Sequence, residues 1–213
     1  MKQKIKDRKP VQEEPVSLKA EILSWIEVLV AAALIAFFLN TFIIANSRVP
    51  SASMETTIMT GDRVIGSRLT YRFFEEPSRG DIIIFKWPDN EDTLFVKRII
   101  GLPGDHIEIR AEGRSDVSEF TKTRFRKGVT DVPTGRVYVN GVPLDEDYLV
   151  EPMIVNRDDG SLTFDVPEDA YFCMGDNRNN SQDARYWLNT WVYRDKILAK
   201  VYFRYWPGIK TIK

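Results

Sequence analysis

Two serines near residue 50, Ser51 and Ser53, could supply a nucleophile. They stand in residues 48–57 (RVPSASMETT), separated by one small residue. A serine hydroxyl is a weak nucleophile until a neighbouring base removes its proton. The usual base is histidine, but the chain has only His106, in a segment typical of a turn, where we expect it to be solvated. A Ser-His-Asp triad or a zinc site would each have to rest on this one histidine.

Lys97 is the sharper candidate for the base. It lies in a mostly apolar run, residues 94–100 (LFVKRII), that is typical of a β-strand. Burial would disfavour the ammonium and lower its pKa, and a neutral lysine amine could then act as a general base near neutral pH. The alternative is an outward-facing lysine whose charge is solvated. The strand pattern alone leaves both interpretations open.

A long apolar run precedes these residues. Residues 25–45 (WIEVLVAAALIAFFLNTFIIA) would form a helix roughly 30 Å long, about the thickness of one bilayer core. Glu27 lies close to the inner end, beside Trp25, where an interfacial position is tolerable. The basic N-terminal tail predicts a single-pass protein in the plasma (inner) membrane, with its N-terminus in the cytoplasm and the rest extracytoplasmic. A cleaved secretory signal and a buried core helix are the alternatives.

Beyond residue 46 the pattern changes to short β-branched and aromatic runs between Gly, Pro, Asp and Asn turns. We therefore predict a mainly β fold: one N-terminal transmembrane helix followed by an antiparallel β-sheet domain. The predicted divisions are a cytoplasmic basic tail (1–22), a membrane anchor (23–46) and a β catalytic domain (47–213) with an insertion at about 107–170. The predicted strands cover residues 62–67, 81–86, 94–100, 170–174 and 197–204, with a hairpin at 136–144.

The predicted β domain also contains a tight turn and a polar segment. In the hairpin, Asn140-Gly141 suits the left-handed positions of a tight turn. Residues 111–131 are polar and irregular, which indicates a surface insertion.

Composition limits the remaining functions. The chain has 30 basic and 31 acidic residues, so its net charge of −1 gives no overall attraction to nucleic acid. Its one cysteine, Cys173, excludes an intrachain disulfide. We expect no metal and no cofactor.

Four motifs occur in order behind the apolar run. They are residues 50–54 (PSASM), 61–64 (GDRV), 96–105 (VKRIIGLPGD) and 175–185 (GDNRNNSQDAR). Taken together they resemble bacterial type I signal peptidase, the membrane serine endopeptidase that removes signal peptides from exported preproteins. The resemblance covers the anchor and the motif-bearing parts of residues 23–187.

The resemblance implies roles for individual residues. Ser53 matches the nucleophile of a Ser-Lys dyad and Lys97 its general base, while the Ser51 hydroxyl matches an oxyanion-hole donor that helps the Ser53 backbone N–H. Small apolar pockets, which accept side chains such as alanine at the first and third positions before the cut, correspond to Val49 and Val96. The residues that match groups orienting the lysine or bracing the site are Ser181, Asp176 with Arg98, and Asp183 with Arg185.

The sequence departs from the family pattern in places. Thr56 stands where the family usually has proline, and Ala184 stands where many members have serine. Neither residue belongs to the dyad. The departures therefore leave the pocket details open rather than the reaction.

The position of the dyad along the chain also bears on the substrate. Ser53 comes eight residues after Ala45, and eight extended residues reach at most roughly 30 Å. The nucleophile must therefore lie near the membrane surface, where signal peptides emerge. The apolar residues Met54, Ile58 and Met59 could either dip into the interface or belong to the core.

Three other readings compete. A sortase-like anchored transpeptidase would use Cys173 and His106, but Cys173 lies in a run typical of a buried strand, where an unreactive core thiol is expected. Self-cleaving repressors share a Ser-Lys dyad, but they carry a DNA-binding domain where this chain has its apolar run. A non-catalytic extracellular β-domain would tolerate replacement of Ser53 and Lys97.

Overall fold

The computed structural model describes residues 17–116, 131–155 and 162–212. By its internal contacts the chain divides into two compact units between Leu39 and Asn40. The first contains helix α1 (Leu18–Phe38), and the second contains two antiparallel sheets. The predicted fold class, one apolar N-terminal helix followed by a mainly β domain, is confirmed.

The apolar helix differs from its predicted bounds at both ends. It begins at Leu18, and after Phe38 a π-helical turn (Leu39–Ile43) leads into strand β1 (Ile44–Arg48). The span Glu21–Ile43 has 23 residues and a mean hydropathy of 2.5, which is long and apolar enough to cross a bilayer. Our prediction of a helix reaching Ala45 was wrong, because Ile44 and Ala45 pair with β2 (Arg63–Ser67) and Ala45 is buried there.

Among the described residues the larger sheet has eight strands, in the order β1-β2-β12-β3-β4-β10-β11 with β13 paired to β12. Its remaining strands are β3 (Ile82–Trp87), β4 (Asn90–Gly101), β10 (Ala170–Met174), β11 (Val192–Tyr193), β12 (Ile197–Trp206) and β13 (Lys210–Thr211). The predicted strands at 62–67, 81–86, 94–100, 170–174 and 197–204 are all present in this sheet.

The smaller sheet is formed within residues 106–165. Its strands are β5 (His106–Ser115), β6 (Val132–Val139), β7 (Val142–Pro143), β8 (Met153–Ile154) and β9 (Leu162–Asp165). The order is β7-β6-β5-β9, with β8 paired to β6. The predicted hairpin is confirmed: Asn140 and Gly141 have φ values of 52° and 79°, the left-handed conformation that a tight hairpin turn requires.

The prediction of an irregular insertion at 111–131 was wrong at its first residues. Residues 111–115 continue β5, although they are mostly exposed, because their backbone pairs with β6. Residues 117–130, the rest of that prediction, lie outside the described residues.

Two hydrophobic clusters hold the β domain together. The larger joins β3, β4 and β10 to the second sheet through residues such as Phe85, Ile99 and Phe172. The smaller lies under residues 49–58 and contains Met54 and Ile58, both with no exposed surface. These two residues are core, whereas Met59 is 42% exposed.

Candidate active site

Ser53 lies on a short 3₁₀ turn, Ala52–Met54, that follows β1. The turn is held from below by buried Met54 and from the side by Asn177. The Asn177 backbone N–H donates to the Ser53 carbonyl oxygen at 3.0 Å, and its side-chain amide donates to the Ala52 carbonyl oxygen at 3.1 Å. Ser53 is therefore fixed by contacts from a segment more than a hundred residues away.

Lys97 comes from the middle of β4, opposite Ile83 of β3. Only 3% of its surface is exposed, so the structure rejects the alternative of an outward-facing, solvated lysine. Its Nζ lies 2.5 Å from the Ser53 Oγ, a hydrogen-bond distance. With the amine neutral, the serine hydroxyl can donate its proton directly to the lysine nitrogen.

The electrostatic surroundings favour the neutral amine. Burial lowers the pKa of Lys97 from 10.5 to about 8, and the negative charges of Asp183 and Asp176 oppose only part of that effect. The Phe95 ring, whose centroid is 5.3 Å from the Lys97 Nζ, acts against the effect of burial, because an aromatic face stabilises a cation. A substantial fraction of Lys97 is thus unprotonated at a mildly alkaline pH, as a general base requires.

Ser51 lies at the open side of the dyad. It is exposed, and its Oγ is 3.3 Å from the Ser53 Oγ. A hydroxyl this close to the nucleophile can reach an oxygen bonded to the carbon that Ser53 attacks. Its predicted oxyanion role therefore stays a prediction with compatible geometry.

Arg98 and Asp176 form a buried, bidentate ion pair beneath the turn. The Arg98 Nε and Nη2 donate to the two Asp176 carboxylate oxygens at 2.8 and 2.7 Å. Thr57 donates its hydroxyl to the same carboxylate at 2.6 Å, and the Arg98 guanidinium stacks on the Tyr148 ring at 4.0 Å. The pair joins β4, the residues after Ser53 and the start of the 175–185 loop.

A second buried pair, Asp183 and Arg185, braces that loop. The Arg185 Nε and Nη2 donate to Asp183 at 2.7 and 2.8 Å, and the Gly175 N–H donates to the same carboxylate at 3.0 Å. Burial alone would raise the pKa of the Asp183 carboxyl, but the Arg185 charge and these hydrogen bonds outweigh it and lower that pKa. Asp183 is therefore an anion held inside the protein near Lys97.

Ser181 is close to the dyad but does not make its predicted contact. Its Oγ is buried and forms no hydrogen bond to Lys97 within the described part of the chain; the hydroxyl instead helps to lower the pKa of the Asp183 carboxyl. The hydroxyl packs against Gly175, where an added Cβ would stand 2.3 Å from it and 2.4 Å from the Ser53 carbonyl oxygen. Glycine thus permits the close approach of the loop to the nucleophile's backbone, and the orienting role of Ser181 stays a prediction.

Val49 and Val96 lie in one hydrophobic cluster, as the proposed lining of small apolar pockets requires. Val49 is 2% exposed, and Val96 is partly buried against the cluster that contains Met54. Val49 lies between β1 and the turn that carries Ser53, and Val96 precedes Lys97 on β4, which is compatible with a small pocket. The pocket role itself stays a prediction.

Sequence reasoning missed several supporting residues. Asn177 and Thr57, described above, were not singled out. Arg178 forms a buried ion pair with Glu146, whose carboxylate lies 3.1 Å from the Arg178 Nη1. The only signal for Asn177 and Arg178 was their place inside the 175–185 motif.

The residues of the sortase-like alternative do not form a site. Cys173 has no exposed surface, and burial raises the pKa of its thiol, so a reactive thiolate is disfavoured. His106 lies on β5, half-exposed, and its ring nitrogen contacts Asp165 of β9 at 2.6 Å. Among the residues that the structure describes, no group of three or more His, Cys, Asp or Glu side chains could hold a metal ion.

The chain is similar in sequence to known proteins. The sequence profile of the family described as "Signal peptidase, peptidase S26" matches residues 22–206. A Synechocystis protein named "Probable signal peptidase I-2" is 36% identical, over 86% of this chain and 74% of its own. "Signal peptidase I S" of Bacillus subtilis is 32% identical, over 92% and 96%. A solved signal peptidase I of Enterococcus faecalis is 29% identical and covers 59% of this chain and 97% of its own, with a TM-score of 0.40.

Proposed function

Because this chain belongs to the signal peptidase family, peptidase S26, and is accordingly a serine endopeptidase that cleaves signal peptides, we propose that Ser53 and Lys97 are its catalytic dyad. The observation that carries the proposal is the 2.5 Å contact between the Ser53 hydroxyl and the amine of Lys97, whose pKa burial lowers to about 8. No other serine in the described part of the chain has a buried base with a lowered pKa at hydrogen-bond distance.

In the proposed reaction Ser53 attacks the carbonyl carbon of the scissile peptide bond. As the Oγ–carbon bond forms, the hydroxyl proton moves to the Lys97 nitrogen. The developing oxyanion is stabilised by the Ser51 hydroxyl together with the Ser53 backbone N–H, since donors aimed at that charge contribute most to such catalysis. Lys97 then donates its proton to the leaving amine as the carbon–nitrogen bond breaks, which leaves the signal peptide esterified to Ser53.

Deacylation uses the same base. Lys97, neutral again, takes a proton from a water molecule that attacks the ester carbon, and the proton is returned to the Ser53 oxygen as that bond breaks. The ion pairs around the site keep the base in place: Arg98 with Asp176 on one side, Asp183 with Arg185 on the other. Their rigidity fits the requirement that the reacting groups stay aligned through both steps.

Specificity for small residues before the cut follows from the apolar side of the site. We assign Val49 and Val96 to the pockets for the first and third side chains before the scissile bond. Both residues are short and belong to a packed cluster, so the space beside them cannot expand for a large side chain. Alanine fits such a pocket, whereas a leucine would force the cluster apart.

The pH dependence of cleavage tests the dyad. Below a pH of about 8 Lys97 carries a proton and cannot accept another, so kcat/KM should fall about tenfold per pH unit on the acid side and level off above that pH. The measurement is the rate of cleavage of a preprotein with alanine at the first and third positions before the cut. An ascending limb near the pKa of free lysine, about 10.4, would show that Lys97 is solvated and not the base.

We also propose that α1 spans the membrane with the N-terminus in the cytoplasm and the β domain outside. The apolar length of the span and the basic residues before it support this orientation. Protease added to intact spheroplasts should digest the β domain and spare an N-terminal epitope tag. Protection of the β domain until the cells are lysed would reverse the orientation.

A further inference from the structure

A cavity of about 510 Å³ opens beside the C-terminal end of the apolar span, away from the dyad. Its walls include Thr41 and Phe42 from the end of that span and three arginines, Arg68, Arg72 and Arg194. The one carboxylate in its lining is Asp195. The cavity therefore combines an apolar wall with an excess of positive charge.

Two of these arginines are available to an incoming anion. Arg194 donates to the Glu76 carboxylate at 3.0 Å, so the positive charge of its guanidinium is partly neutralised. Arg68 and Arg72, by contrast, form no ion pair with any carboxylate in residues 17–116, 131–155 and 162–212. Guanidinium groups bind phosphate oxygens through paired N–H donors, which makes a phosphate group the ligand that this arrangement suits.

The cavity has a defined place along the membrane normal. The Arg68 N–H donates to the carbonyl oxygen of Ile43, the last residue of the apolar span, at 2.9 Å. The Arg68 Nε lies 3.4 Å from the next carbonyl oxygen, that of Ile44. With the span placed across the bilayer as proposed above, a residue hydrogen-bonded to its last residue lies at the depth of the lipid headgroups.

Exposed aromatic side chains stand next to the arginines. Phe73 and Phe74 follow Arg72 in the turn Thr70–Phe74 and are 66% and 77% exposed. Phenylalanine side chains on the apolar face of an interfacial segment bury themselves at the boundary between headgroups and acyl chains. The carboxylates that come next, at Glu75 and Glu76, are each paired with a cation of the domain and so do not oppose this placement.

We propose that this cavity binds the phosphate of an anionic phospholipid headgroup, with Arg68 and Arg72 as its ligands and Phe73 and Phe74 inserted beside the acyl chains. The site would seat the β domain on the leaflet at the Ile43 end of the span. It is distinct from the dyad and independent of the proposed reaction, but it rests on the proposed membrane placement of the apolar span. Free phosphate offers the same oxygen atoms, and the membrane-depth position and the aromatic pair are what favour the lipid.

The test uses the full-length protein with Ser53→Ala in detergent micelles, so that catalysis cannot influence the result. Short-chain phosphatidylglycerol is titrated and the thermal midpoint is followed, since a ligand that binds only the folded state raises that midpoint saturably. We expect a saturable increase with phosphatidylglycerol and none with phosphatidylcholine. The variant with both Arg68→Gln and Arg72→Gln should need about tenfold more phosphatidylglycerol, or more, for half of the effect.

Matched variants make the outcome decisive. Lys86→Gln with Arg136→Gln removes the same charge from a half-exposed and an exposed position elsewhere on the β domain and should respond like the parent protein. Arg68→Lys with Arg72→Lys keeps the charge and should retain part of the response. An equal response in the Arg68→Gln, Arg72→Gln variant, or an equal response to phosphatidylcholine, would overturn the proposal. An equal increase with inorganic phosphate at the same concentration would also overturn it, because it would identify a free-anion site.

Discussion

Ser53→Ala should lower kcat for preprotein cleavage by at least about 10⁴-fold, and Lys97→Met should lower it by about 10⁴-fold. The first change removes the nucleophile, and the second removes the base that lies 2.5 Å from it. The effects should not add, because the two groups act as a unit, so the double variant should be about as inactive as Ser53→Ala. The measurement is single-turnover cleavage of a preprotein by the full-length enzyme in detergent.

The melting temperature distinguishes a loss of catalysis in Lys97→Met from misfolding of that variant. The lowered pKa of Lys97 means that its ammonium is less stable in the folded protein than in the unfolded chain. Between about pH 8 and 10.5 the unfolded chain binds more protons, so stability rises with pH there, and below pH 8 the full cost is present. Lys97→Met should therefore raise the melting temperature at pH 7, and this advantage should shrink as the pH approaches 10.5.

Lys86→Met is the matched control for the base. Lys86 lies on β3, the strand next to Lys97, but it is half-exposed and far less constrained. Its replacement should change kcat by no more than about twofold. Near-normal cleavage by Lys97→Met across the pH range would exclude Lys97 as the base.

Replacement of the neighbouring serine should give an intermediate result. Ser51→Ala removes a donor near the oxyanion and replaces neither residue of the dyad, so kcat should fall by about 10²–10³ with little change in KM. Ser51→Thr keeps a hydroxyl and should restore part of that loss. An unchanged kcat in Ser51→Ala would remove Ser51 from the proposed oxyanion hole.

The largest effect on stability is expected from Arg185→Met. This change leaves the Asp183 carboxylate, which has no exposed surface, without its cationic partner. An unpaired buried charge costs about 3–5 kcal/mol of unfolding free energy, or about 6–20 °C in melting temperature for a domain of this size. Thermal unfolding at pH 7 of the full-length protein measures it.

The same pair has a pH signature. Arg185 keeps the pKa of Asp183 below its ordinary value of 3.8. The ion pair therefore stabilises the folded protein above that pH, and this contribution is lost as the pH falls through the lowered pKa. Asp183→Asn combined with Arg185→Met removes both charges and should cost less than Arg185→Met alone. Arg136→Met, at an exposed position, should change the free energy of unfolding by less than about 0.5 kcal/mol. Equal stability of Arg185→Met and the parent protein would mean that the pair does not brace the loop.

Local pattern was enough to predict the strands and the hairpin. Residues 82–85 and 170–174 carry continuous apolar runs because both faces of their strands are covered, and Asn140-Gly141 specifies a turn that few other pairs can form. The helix end was mispredicted because apolarity does not distinguish the last turn of a membrane span from a buried edge strand. Ala45 belongs to the buried edge strand, since it pairs with Gly66 in the large sheet.

The candidate dyad illustrates the division between sequence and tertiary structure most clearly. The sequence by itself determined the apolar span, the order of the motifs and the residue types available, including the scarcity of histidine that directed attention to Lys97. It could not decide whether Lys97 faces solvent, because a lysine in an apolar strand has the same pattern on either face. Only the tertiary structure decided that, by packing residues 49–58 and 175–185 over β4, which removes water from the amine and brings it to the Ser53 hydroxyl. Burial and proximity are properties of segments far apart in the chain, and no local spacing encodes them.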